Sequence, residues 1–115
     1  MGGEVFSAQG KRSSLTYLPS PNGPVTGSPF SVTTAQRIPA SGGFAAGAII
    51  VTASVATHVR FFRAGETLVN ATTGDVLLPQ IGVGINVFPV NTGDFLSALA
   101  SAGTSVIQVA QARTG

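Results

Sequence analysis

The stretch of sequence that decides the fold is INVFPVNTGDFLSALASAGTSVIQVA, at residues 85–110. Three short, mostly apolar runs, at 85–90, 95–100 and 106–110, are separated by the tetrapeptides Asn-Thr-Gly-Asp and Ser-Ala-Gly-Thr. Gly beside Asn or Asp is ordinary turn chemistry, because these residues adopt the backbone angles that tight turns require. Short runs separated by turns at about 8 to 12 residues are typical of a β-sandwich or barrel.

Similar runs precede this stretch, and in one of them the order of apolar and polar residues indicates which side chains share a face. In His58-Val59-Arg60-Phe61-Phe62-Arg63, alternation places Val59 and Phe61 on one face of a strand and the side chains of His58, Arg60 and Phe62 on the other. The other predicted strands lie at 30–38 and 44–55, and predicted turns or bends lie at 64–66, 73–75 and 82–84.

A helix is the alternative for residues 93–100, where Asp94 could cap a turn of Ala and Leu. About eight residues is too short to be stable alone, so we keep a strand there. The predicted fold class is therefore all-β, an antiparallel sandwich or a jelly-roll-like barrel with an extended N-terminal arm.

The arm is predicted from prolines. Residues 10–29 are dominated by Ser, Pro, Gly, Asn and Thr, with prolines at 19, 21, 24 and 29. Proline has no backbone N–H, so this stretch cannot join a central sheet continuously. We divide the chain into an arm at residues 1–30, with a short edge strand around Leu15 to Leu18, and a β-domain at residues 31–115.

Charge is scarce in this chain. Asp, Glu, Lys and Arg make up 9% of the 115 residues, against roughly 25% in an ordinary soluble domain. Buried parts of protein interfaces lose charged residues in the same way. We therefore expect self-association or attachment to a larger scaffold. A surface kept soluble by Ser, Thr, Asn and Gln is the alternative.

The residues offer little chemistry. There is one histidine, four carboxylates and no cysteine, and no Gly-x-Ser-x-Gly elbow places a nucleophile beside His58. We predict no catalytic residues, no metal site, no cofactor and no enzyme activity, with His58 half exposed at the start of a strand. The Gly82-Val83-Gly84 segment lacks the third glycine and following helix of a phosphate-binding loop.

Nucleic acid and membranes are not expected partners. The six basic residues form no stripe. The cluster Arg60-Phe61-Phe62-Arg63 could stack on a base or sugar, but we favour a strand with two core aromatics and two edge charges. The uncharged segment 38–57 is interrupted by Pro39 and by Ser and Gly at 41–43, so it favours a buried strand over a membrane span. Residues 1–14 lack the apolar core of a signal peptide.

The second half of the chain resembles small virion proteins of tailed bacteriophages. The resemblance covers residues 56–110 and depends on three segments, which are Ala56-Thr57-His58-Val59-Arg60-Phe61, Gly93-Asp94-Phe95-Leu96-Ser97-Ala98-Leu99-Ala100 and Ala102-Gly103-Thr104-Ser105-Val106-Ile107-Gln108-Val109. The most similar type is the capsid cement or decoration protein.

That resemblance implies a jelly-roll-like domain, usually a homotrimer, that is made in the host cytoplasm and binds the outer surface of the head. There it would contact the major capsid protein and bridge neighbouring subunits. We expect Lys11, Arg12 and Tyr17 of the arm to contact the shell, and the strands after residue 44 to form the core and the trimer faces. The alternatives are a tail, baseplate or head-fibre subunit, or a carbohydrate-binding β-sandwich module.

Overall fold

The computed structural model describes residues 20–113, with side chains from residue 23 to residue 112. Within this range the chain forms nine β-strands and no helix, which confirms the all-β prediction. The strands are β1 (Ser20–Pro24), β2 (Phe30–Val32), β3 (Gln36–Ile38), β4 (Gly47–Ala53), β5 (Thr57–Phe62), β6 (Val76–Leu77), β7 (Asn86–Val90), β8 (Phe95–Ala100) and β9 (Ser105–Arg113).

The strands form two separate antiparallel sheets and do not close into a barrel. Sheet one has the order β1-β9-β4-β7, and β2 pairs with β9 farther along the same edge. Sheet two has the order β3-β8-β5-β6. Both β7 and β6 are therefore edge strands. Consecutive strands often belong to different sheets, as in the passage from β4 to β5.

The core lies between the sheets because alternate residues of each strand point inward. Sheet one contributes Ile49, Val51, Ile107 and Val109, and sheet two contributes Ile38, Val59, Leu96 and Ala98. Burial of each large side chain stabilises the fold by about 1.5 to 3 kcal/mol. On the opposite face of sheet one, Ala48, Ile50 and Ala112 form a second, smaller cluster.

The predicted run at 30–38 is two strands rather than one. A bend after Val32 takes the chain from sheet one to sheet two, where β3 pairs with β8. Both strands are only three residues long. This connection joins the two layers of the sandwich.

Part of the proposed arm lies in sheet one. Strand β1 pairs with the end of β9, with an irregularity in register between Pro21 and Pro24. Beyond it, the Ser28 hydroxyl accepts the N–H of Val109 at 3.0 Å. At this position the hydrogen-bond acceptor for the backbone of β9 is therefore a side chain. The predicted strand at Leu15 to Leu18 lies outside the described residues, as do Lys11, Arg12 and Tyr17.

Candidate functional site: the open side of the sandwich

Charged residues are distributed unevenly between the two sheets. Among the described residues, the only charged residue in a strand of sheet one is Arg113, at the end of β9. The other charged residues are in sheet two or in loops, at Arg37, Arg60, Arg63, Glu66, Asp75 and Asp94. Strand charge is therefore limited to Arg113 at the end of sheet one and to Arg37 and Arg60 in sheet two, and the remaining charges are in loops.

Two aromatic rings meet where the sheets open. The rings of Phe61 in β5 and Phe88 in β7 lie 4.9 Å apart between centroids, tilted by 56°. Phe61 remains 39% exposed, because no strand lies beyond β6 and β7 on this side. The pair marks the boundary between the core and the solvent.

Two grooves meet at these rings. The apolar one has a volume of about 420 Å³ and is lined by Val59, Arg60, Phe61, Asp75, Val76, Leu77, Pro79 and Phe88. The other, of about 820 Å³, is more polar and includes Arg63, Glu66, Asn91 and Asp94. Its two carboxylates accept local backbone N–H groups, Glu66 from Arg63 at 2.6 Å and Asp94 from Asn91 at 2.8 Å. Both acids therefore stabilise turns.

The loop between β6 and β7 is held by Asn86. This buried amide donates to the carbonyl oxygens of Val51 at 3.1 Å and Gln80 at 2.9 Å. Its oxygen accepts the Gln80 N–H at 2.9 Å. Gly82 also donates its N–H to the Ala53 carbonyl at 2.8 Å. The loop is thus held to sheet one at its middle and at its end, while the side chains of Ile81, Val83 and Ile85 are exposed.

We define the edge patch as the exposed apolar residues of β6, of the loop between β6 and β7 and of the adjacent end of β5. Its members are Phe61, Val76, Leu77, Ile81, Val83 and Ile85. Val83 is fully exposed and Val76 is 73% exposed. Surface apolar residues are ordinary when scattered singly, but a group on one side of a domain indicates an interaction site.

The outer face of sheet two is covered by the loop that follows β5. Ala71 is buried and donates its N–H to the Ser97 hydroxyl at 2.9 Å. His58 is also buried, with Nδ1 2.9 Å from the Asp75 carbonyl oxygen. The expectation of a half-exposed His58 is therefore wrong, because this loop covers the ring.

Asp75 joins that loop to β5. Its carboxylate lies 3.2 Å from the Arg60 guanidinium and accepts the Thr72 N–H at 2.8 Å. The Thr72 N–H lowers the pKa of Asp75, and the charge of Arg60 lowers it further, while partial burial opposes both. The carboxylate therefore stabilises the loop in its ionised form.

The Arg60-Phe61-Phe62-Arg63 cluster differs from the predicted strand with two core aromatics. Phe61 lies at the half-exposed edge described above, and Phe62 lies on the outer face, stacked on Phe95 with centroids 5.1 Å apart. The Arg37 guanidinium covers the same Phe95 ring at 4.1 Å from its centroid and donates to the Gly42 carbonyl at 2.6 Å. Phe62 and Phe95 thus form a separate stack capped by an arginine.

Two further kinds of feature, a metal-binding group and a membrane-spanning helix, are absent from the described residues. Among residues 20–113, no group of three or more His, Cys, Asp or Glu side chains could hold a metal ion. In the same range no helix is long and apolar enough to cross a membrane. Comparison with known proteins found no matching family model, no matching curated protein and no matching solved structure.

The edge patch was not predicted from the sequence, although the sequence contains one signal for it. No charged residue occurs between Asp75 and Asp94. The three predicted shell-contact residues, Lys11, Arg12 and Tyr17, lie outside the described residues. Most residues of the segment 76–87 are exposed because β6 and β7 are at the edges of their sheets, and that position depends on strand order.

Proposed function

We propose that this chain is a structural virion protein that acts through protein–protein contacts, as a cement or decoration protein on the outer surface of a capsid. It would bind the major capsid protein and bridge neighbouring subunits of the shell. The observation that supports this most is the scarcity of charge in sheet one, where Arg113 at the end of β9 is the only charged residue among those described. Such a domain suits a position between other protein surfaces, since buried parts of interfaces are depleted of charge.

The resemblance of residues 56–110 to small phage virion proteins supports the same proposal. Within it, a jelly-roll-like relationship and a trimeric assembly remain our expectations. A decoration protein needs no deep pocket, because several weak contacts made together give high avidity. An anchoring arm belongs to this proposal, with Lys11 and Arg12 meeting acidic shell surface and Tyr17 packing beside them.

A deletion that tests the arm must leave β1 in place, because this strand belongs to sheet one. Deletion through residue 24 would remove Ser20–Pro24 and its pairing with β9. Deletion of residues 1–19 leaves that strand intact. We expect this shorter variant to fold and to occupy shells less fully than the whole chain. Full occupancy by the deletion variant would contradict the role of the arm.

Labelling of virus particles tests the proposed location. Particles assembled with a C-terminally tagged chain are bound to nanogold and viewed by negative-stain electron microscopy. Gold distributed over the head supports decoration. Gold confined to tails would favour a tail or baseplate subunit, and unlabelled particles that lack the chain by mass spectrometry would contradict a virion role altogether.

A further inference from the structure

The edge patch exposes an apolar area at the upper end of the range found on monomeric proteins. Assigning each of its six residues a full area of about 150 to 200 Å², their exposed fractions amount to on the order of 600 Å². The largest apolar patch on a typical monomer covers about 300 to 600 Å². A standard interface covers about 800 Å² on each partner. The patch thus approaches one side of an interface.

We propose that the edge patch is covered by a second copy of this chain. This inference specifies the contact site within the proposed contact function. Interfaces between identical subunits are more apolar than transient ones, and no charged residue occurs from β6 through β7, between Asp75 and Asp94. Arg60 and Asp75, which line the apolar groove, already pair with each other at 3.2 Å.

The timing of assembly also favours a second copy. An exposed apolar edge is an aggregation hazard from the moment that the chain folds. A shell is available only once a head has formed, whereas another copy is present wherever the chain is made. Self-association therefore protects the patch before any shell exists.

The contact forms by packing of side chains rather than by extension of a sheet. Strand β6 has two residues, which is too short a template for a new strand. Strand β7 contains Pro89, which has no N–H to donate, and proline on an edge strand discourages pairing. The Phe61 and Phe88 rings, with Val76 and Val83, supply the contact surface instead.

Sedimentation velocity of the full chain and two variants tests the interface. Val83→Asp places a charge on a fully exposed residue of the patch. Val69→Asp is the matched control, since Val69 is exposed at 49% and lies in the loop after β5, outside the edge patch. Thermal melts by circular dichroism establish that each variant is folded, and Val76→Asp provides an independent second patch variant.

We expect the wild-type chain and Val69→Asp to sediment as one closed oligomer, and both patch variants to dissociate at least tenfold more readily. Equal association by all four proteins would place the interface elsewhere and leave the contact function standing. A monomeric wild type would overturn the second copy as the occupant. If that monomer floated with phosphatidylcholine vesicles, the patch would be a lipid-binding surface. The virion role is tested separately, by the gold labelling of particles.

Discussion

The hydroxyl oxygens of Thr57 and Ser105 lie 2.8 Å apart in the interior, and together they join the two sheets through a hydrogen bond. Both residues are fully buried. Thr57 is in β5 of sheet two, and Ser105 is in β9 of sheet one. The Thr57 oxygen also lies 2.8 Å from the Val55 carbonyl. Because Thr57 has one hydroxyl proton, it satisfies both contacts by donating to Val55 and accepting from Ser105.

This pair predicts non-additive stability. Thr57→Val or Ser105→Ala alone leaves a buried hydroxyl or carbonyl with fewer partners, and each should lower the free energy of unfolding by about 1 to 3 kcal/mol. The double variant should lose less than the sum of the two. Urea denaturation of the four proteins measures the coupling, and additivity within about 0.3 kcal/mol would show that the hydrogen bond contributes nothing.

Close backbone contact at Gly43 makes a second prediction. A Cβ at this position would lie 2.4 Å from the backbone carbonyl of Gly93, and the Gly93 N–H donates to the Phe44 carbonyl oxygen beside it at 2.9 Å. Since backbone cannot move aside cheaply, we expect Gly43→Ala to lower the free energy of unfolding by more than about 2 kcal/mol.

Gly74→Ala is the matched control for that substitution. A Cβ at Gly74 would meet only the Thr72 hydroxyl, at 3.6 Å, which is an ordinary contact. Its effect on the midpoint of thermal unfolding should be small. Equal losses from the two substitutions would mean that Gly43 is not constrained by Gly93.

Local sequence predicted the strands that have clear turns on both sides. The bounds of β8, Phe95–Ala100, match the prediction because Asn91–Asp94 and Ser101–Thr104 stop the strand at each end. The faces of β5 were also predicted, since Val59 belongs to the core and Arg60 is exposed. Alternation of side chains is a local property that requires no knowledge of the partner strand.

Features that depend on the other sheet were not predictable in this way. Strand β6 is two exposed residues long, so neither length nor burial distinguishes it from a loop. The loop that buries His58 contacts the imidazole ring with the carbonyl oxygen of Asp75, which is seventeen residues later in the chain. The edge patch depends on β6 and β7 both being edges, and strand order is a long-range property that no local motif specifies.

Acid should weaken the contact between Arg60 and Asp75. Because the folded chain lowers the pKa of Asp75, ionised Asp75 contributes stability that is fully present above its unfolded pKa of about 3.9. That contribution disappears as the pH falls from there through the folded pKa. Asp75→Asn removes it at every pH, so the stability difference between wild type and variant should be constant from pH 5 to 7 and shrink below about pH 4.

Urea denaturation of both proteins across this pH range measures that difference, and the other carboxylates cancel between them. A difference that stays constant down to about pH 3 would show that neither Thr72 nor Arg60 stabilises the ionised form. A difference that grew on acidification would reverse the sign of the effect.

The native mass of the purified full chain, measured over a wide range of protein concentration, tests the central claim of a contact domain most directly. The chain has a mass of 11.5 kDa. We predict one closed assembly of about three chain masses, whose size does not increase further with concentration, because closed symmetry uses up its own interfaces. A well-behaved monomer of 11.5 kDa at high concentration would contradict it.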